Sequence, residues 1–222
     1  MRHVYHEKLD SLAAELAAMC ASIGEAMELA TRSLLEADLS LAEQVISGDE
    51  VVDEARATTE EHAYSLLALQ APVATDLRTV LAVIHAAESL ERAGDLAVHV
   101  AKAARRRHPQ RVLPDDVQPY FAEMGKIAVQ LAGQAEQVIL TKDLAAARAM
   151  DSADDAMDDL HRHLFTVLMD KDWEHGVATA VDVTLLGRFY ERFADHAVSV
   201  AQRVVFLVTG RMPGSAKDEE PI

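Results

Sequence analysis

Eight carboxylates in this chain stand in a repeated pattern. Glu91 and Asp95 recur as Glu191 and Asp195, 100 positions on, each pair inside a Glu-Arg-x-x-Asp run; Asp49 and Asp53 recur as Asp154 and Asp158, 105 positions on. Helical residues four apart lie on one face with Cβ atoms about 5–6 Å apart, so each acid-x-x-x-Asp is a pair of carboxylates aimed the same way. Several such pairs converging would hold hard cations: Mg, Mn or Ca, and iron where carboxylates bridge metals. They also require positive charge, because two like charges 4 Å apart repel by roughly 4 kcal/mol at an effective dielectric near 20. Arg92 and Arg192 supply some of it, and a metal would supply more. His99, His161 and His196 follow Asp95, Asp158 and Asp195 closely as further donors, although each alone is more often a structural residue. In the plainer alternative, Asp49 and Asp154 cap helices, Asp53 and Asp158 face water, and the glutamates pair with nearby arginines. One isolated pair reads that way; four pairs at repeat-related positions point to a shared site.

Helices must position these pairs, and the apolar pattern supplies them. Val80, Ile84 and Ala87 lead to Glu91 at three- and four-residue steps and Val98 continues the line, so the acids interrupt an apolar stripe. A first helix is expected from about Val4 to Glu36, with Leu9, Leu12, Leu16, Met19, Ile23, Met27 and Leu34 at helical spacing. Asp38 and Ser40, with Glu43 beyond, read as a fresh N-cap, and Gly48-Asp49 as a break that divides the second helix into segments. Gln70-Ala71-Pro72 turns the chain, with Pro72 in the first turn of a third helix that runs to Arg107, where Arg105, Arg106 and Arg107 complement the helix dipole. Pro109 and Pro114 mark a boundary. Beyond it the order repeats: a helix from about Asp115 to Leu140, a cap at Asp143 matching Asp38, a helix to Met169, a turn over residues 170–176 and a last helix to Val208.

The pattern predicts an all-α protein of two tandem three-helix bundles, residues 1–108 and 115–209, joined by a linker over 109–114 and followed by a disordered tail over 210–222. In each half the helix with the Asp-x-x-x-Asp pair and the helix with the Glu-Arg-x-x-Asp pair are antiparallel neighbours across a short turn. The four acids of a half are therefore expected to approach one another.

Composition narrows the function. A formal charge of -16 argues against nucleic acid, whose phosphates are bound chiefly through Lys and Arg. Half the residues are hydrophobic, but charges interrupt every apolar segment before the roughly 20 residues of a membrane span, and the polar N-terminus carries no signal region. A cytoplasmic protein with no integral membrane segment is expected. Cys20 alone can form neither an intramolecular disulfide nor a Cys-rich zinc site, and it reads as a core residue. There is no Gly-rich phosphate loop and no Gly-x-Ser-x-Gly, and the Glu-x-x-His of ferritin-type di-iron helices is missing, Asp158-Asp-Leu-His161 coming nearest.

The runs Gln70-Ala-Pro-Val-Ala-Thr-Asp-Leu-Arg78, Leu90-Glu-Arg-Ala-Gly-Asp95 and Tyr190-Glu-Arg-Phe-Ala-Asp-His-Ala197 resemble the PhoU family of phosphate-signalling regulators, over roughly Tyr5 to Gly210. Residues 155–165 and 185–191 are similar to its PhoY branch in high-GC Gram-positive bacteria. The resemblance implies two bundles related by a pseudo-twofold axis, with Asp49, Asp53, Glu91, Asp95, Asp154, Asp158, Glu191 and Asp195 as ligands of divalent or trivalent ions (Fe, Mg, Mn or Zn). It further implies a non-catalytic negative regulator of phosphate-starvation signalling and phosphate uptake. Such a protein would be an adaptor between the Pst phosphate transporter ATPase and a sensor histidine kinase of the PhoR type, a homodimer, reaching the inner face of the membrane through its partners. The alternative is a carboxylate-bridged metalloenzyme or a metal-storage bundle.

Overall fold

A computed structural model describes residues 2–211. These form six helices and, among the described residues, no strand: α1 (Arg2–Glu36), α2 (Leu39–Gln70), α3 (Ala74–Arg107), α4 (Gln118–Thr141), α5 (Leu144–Leu168) and α6 (Gly176–Thr209). α1 to α3 pack as one three-helix bundle and α4 to α6 as another. None of the helices is long and apolar enough to cross a membrane. The expected tail falls, from residue 212 on, outside the described residues.

The two halves use the same local devices. Ala37 and Lys142 adopt left-handed conformations at φ 55° and 56°, and the aspartate after each caps the next helix. Asp38 accepts from the amides of Ser40 and Leu41 at 2.8 and 3.1 Å, and Asp143 from those of Ala145 and Ala146 at 2.8 and 3.2 Å. Helices α3 and α6 also bury equivalent positions: Val83 and Val183, Leu90 and Tyr190, Ala97 and Ala197.

Three expectations change. α2 is one unbroken helix, so Gly48 is not a break and Asp49 lies inside the helix rather than capping it. A single glycine costs a helix only about 1 kcal/mol relative to alanine, and Val45 and Val52, both buried, hold the turns on either side. Pro72 precedes the N-cap residue Val73 instead of sitting in the first turn of α3. α4 starts at Gln118, with Pro119 in its first turn, three residues later than Asp115.

The bundles join through α1 on α4 and α3 on α6. α1 and α4 touch closely at Gly24, where an added Cβ would lie 3.3 Å from the Ala132 Cβ, and at Gly125, where it would fall 2.5 Å from the Thr31 Cγ2. Thr31 Oγ1 donates to the Met27 carbonyl at 2.8 Å and is hydrogen-bonded to the Tyr190 hydroxyl, also at 2.8 Å, tying α1 to α6 inside the core. The linker is not merely polar: Val112 and Leu113 are buried, and one hydrophobic cluster runs through both halves. α3 and α6 cross antiparallel. Asp182 near the start of α6 meets Arg106 and Arg107 at the end of α3, and further along Phe189 lies against His99.

Candidate metal centre

Antiparallel packing of α2 on α3 sets Asp49 opposite Asp95 and Asp53 opposite Glu91. Their fields show it. Asp49 is raised above the usual carboxylate range by burial first, then by Asp53 on its own helix and Asp95 across the groove, while Lys102 and His99 pull the other way. Glu91 is raised by burial, then by Asp95, with Arg92 and Arg56 opposing and Asp53 adding. Asp53 is exposed, whereas Asp49, Glu91 and Asp95 are half-buried. Arg92 stands 3.7 Å from Glu91 and 3.6 Å from Asp95, and Arg56 pairs with Glu60 at 2.9 Å.

In the second bundle Asp154 and Asp158 on α5 face Asp195 and Glu191 on α6. The Asp154 carboxyl is pushed up to about 6, by burial first, then by Asp195, Asp158, Asp151 and Asp155. Glu191 rises through burial and Asp195, opposed by Arg188, with which it forms an ion pair. Asp195 rises through burial, opposed by Arg188, with Asp158 raising it further. The structure thus brings together the four acids of each half as two facing rows.

The two rows are not equally served with positive charge. The repeat places Arg56 in the first bundle where His161 stands in the second, and Lys102 where Gln202 stands. The first row therefore draws on Arg56 and Lys102, and the second on Arg188, where the first half has Glu88. In the second, Asp154 Oδ1, Glu191 Oε2 and His161 Nε2 are buried without a hydrogen-bond partner. His161 packs against α6 at Gly187, where an added Cβ would lie 3.2 Å from the His161 Cδ2. Burial and Arg188 lower the His161 pKa, which favours the neutral ring that can donate a lone pair. Orphaned buried oxygens beside a neutral imidazole fit a cation in donor type. Among the described residues, no three acidic, His or Cys side chains stand close enough together to hold a metal.

A family model described as the PhoU domain matches residues 16–104 and 121–204, one copy on each bundle. This chain belongs to the PhoU family. Among its PhoU relatives, a Mycobacterium bovis protein named "Phosphate-specific transport system accessory protein PhoU homolog 2" is 59% identical over 213 residues, covering 96% of this chain and 100% of that one. A Mycobacterium leprae protein, PhoU homolog 1 of the same system, is 58% identical over 213 residues, covering 96% of each. The crystal structure of the phosphate transport system regulatory protein PhoU from Streptococcus pneumoniae superimposes with a TM-score of 0.84 at 24% identity, covering 94% of this chain and 98% of that one. PhoU from Pseudomonas aeruginosa gives 0.82 at 24%, covering 93% and 100%. At that identity the likeness is one of fold.

Sequence reasoning missed several residues around these PhoU acids. Arg56 lies three after Asp53, where i,i+3 spacing along the acid face would have found it. Lys102 and Arg188 reach the rows through helix geometry that only the assembled bundles reveal. Arg106 and Arg107 stand in the last turn of α3 as expected and also bind Asp182, at 3.0 Å from Arg106 Nη2 and 2.5 Å from Arg107 Nη2.

Proposed function

We propose that this chain is a non-catalytic accessory regulator of phosphate-specific transport. It restrains phosphate-starvation signalling when phosphate is plentiful, acting as an adaptor between the transporter ATPase and a sensor histidine kinase at the cytoplasmic face of the membrane. The observation that carries this reading is identity of 59% across 96% of the chain to a relative named as an accessory protein of that system. The acid rows support the adaptor form, since none of their eight carboxylates is fully buried and a basic partner surface could meet them.

Asp154, Asp158, Glu191 and Asp195, with His161, would hold a divalent or trivalent ion such as Mg, Mn, Fe or Zn, and Asp49, Asp53, Glu91 and Asp95 a second. Such an ion would neutralise the like charge of each row. The protein's own part is to keep the donors on two rigid helices, and to shift proton affinity so that binding an ion releases protons.

The test deletes the gene and measures starvation-gene expression and phosphate uptake in phosphate-rich medium, with pull-down of the kinase and the ATPase. Raised expression and recovery of both partners are expected. Unchanged expression with neither partner recovered would overturn the adaptor; phosphoester turnover lost on Glu91→Ala and Glu191→Ala would establish an enzyme in its place.

A further inference from the structure

Along the α3–α6 seam, between the repeat-related Arg92 and Arg192, lies a cleft of about 290 Å³ lined by Arg92, Asp95 and His99 from α3 and by Arg188, Arg192 and His196 from α6. Three guanidiniums line it with the Asp95 carboxylate, and Glu91 and Glu191 stand against Arg92 and Arg188, on a chain whose formal charge is -16. Arginines gathered on one surface favour an anion among them, and Arg192 is the one that, among the described residues, no carboxylate contacts. Their protein partners satisfy them only in part. Arg92 is 3.7 Å from Glu91 and 3.6 Å from Asp95, too long for good hydrogen bonds. Arg188 is held by Glu191. Among the described residues Arg192 has no carboxylate in hydrogen-bond contact, and it acts on Asp195 and His196 only through its field.

The walls suit a charged guest. Leu96 is buried, and Phe189 lies against His99 with ring centroids 5.2 Å apart. Apolar surface beside the guanidiniums lowers the local dielectric and strengthens any ion they hold. Two antiparallel helices present their arginines from opposite sides, and each guanidinium offers a planar fork that matches two oxygens of a tetrahedral anion.

We propose that this cleft binds a small tetrahedral oxyanion of the phosphate class, held by Arg92, Arg188 and Arg192. The site stands on the cleft itself and goes beyond the accessory role proposed above. Because Glu91, Asp95 and Glu191 compete with the anion for Arg92 and Arg188, filling the cleft draws guanidinium charge away from both acid rows. A signal read at the seam thereby reaches both bundles.

Calorimetric titration of the full chain, freed of metal, with inorganic phosphate at low ionic strength tests this. One saturable site per chain is expected, weakened at least tenfold by Arg192→Gln and by Arg92→Gln. Arg32→Gln, on α1 in an exposed pair with Glu36, is expected to bind as the unsubstituted protein does. Circular dichroism confirms that each variant is folded, and two cleft variants guard against the loss of one. Phenyl phosphate distinguishes the source: rejection of the ester assigns free phosphate, and binding at equal strength assigns a phosphorylated group. No saturable binding to the unsubstituted chain at tens of millimolar phosphate, or equal binding by the folded cleft variants, overturns the site.

Discussion

Neutralising one carboxylate of the second acid row should stabilise the metal-free protein, and Asp154 is the place to do it. Its carboxyl rises from 3.8 to about 6. Each tenfold change in proton affinity is worth about 1.4 kcal/mol, so the ionised form carries a penalty of up to about 3 kcal/mol in the folded state. Asp154 is only partly buried, and screening by water reduces that to about 1 kcal/mol. A raised folded pKa adds stability below the unfolded value near 4 and loses it as pH rises through about 6. Asp154→Asn keeps the shape and removes the charge. In chelator-treated protein the gain should be about 1 kcal/mol at pH 7.5, or about 2–4 °C in Tm for a chain of this size, and should vanish near pH 4. Urea unfolding at both pH values measures it. A loss of stability at pH 7.5, or the same change at both values, would refute the charge-repulsion account of this row.

Three further outcomes are expected. Adding Mn or Mg to chelator-treated protein should raise Tm in a concentration-dependent way, since an ion that binds only the folded state stabilises it by mass action, and Asp154→Asn should blunt that rise. Gly125→Ala should destabilise by about 1–3 kcal/mol through overpacking, because the new methyl meets Thr31 at 2.5 Å and Thr31 cannot swing away without leaving the Tyr190 hydroxyl; Gly48→Ala, with open space around it, should instead gain up to about 1 kcal/mol, both read by chemical denaturation. Asp182→Ala should cost about 2–3 kcal/mol as charge-assisted hydrogen bonds to Arg106 and Arg107 are lost, and a double-mutant cycle with Arg107→Ala should show that most of the loss is shared.

How much was legible in the sequence follows from which features are local. Helical periodicity and the Asp38 and Asp143 caps are written within a few residues, so the helices and their order could be read directly. The facing of Asp49 with Asp95 and of Asp53 with Glu91 followed from a short turn between two helices and residue counting alone. Gly48 misled because propensity is a weak local bias, overruled by the buried side chains of Val45 and Val52. Arg106 and Arg107 were legible as a helix end but their partner was not: Asp182 is 76 and 75 residues away, and nothing in the helix end announces it. The seam cleft was hidden likewise, since its arginines belong to separate halves until α3 crosses α6.

The clasp at Asp182 has no twin. At the matching positions of the other half the repeat has Ala82, Phe206 and Leu207 in place of Asp182, Arg106 and Arg107, and there the seam leaves a cavity of about 270 Å³ walled chiefly by aliphatic side chains such as Ala82, Val83, Val204 and Leu207, with Asp10, Asp76, Lys142 and Arg203 also lining it. Two bundles of one fold are thus fastened at one end by ions and padded at the other by aliphatic side chains with room to spare. The two ends of this joint therefore answer to different conditions: added salt weakens the exposed side of the ionic fastening, whereas cooling weakens the apolar packing at the other end.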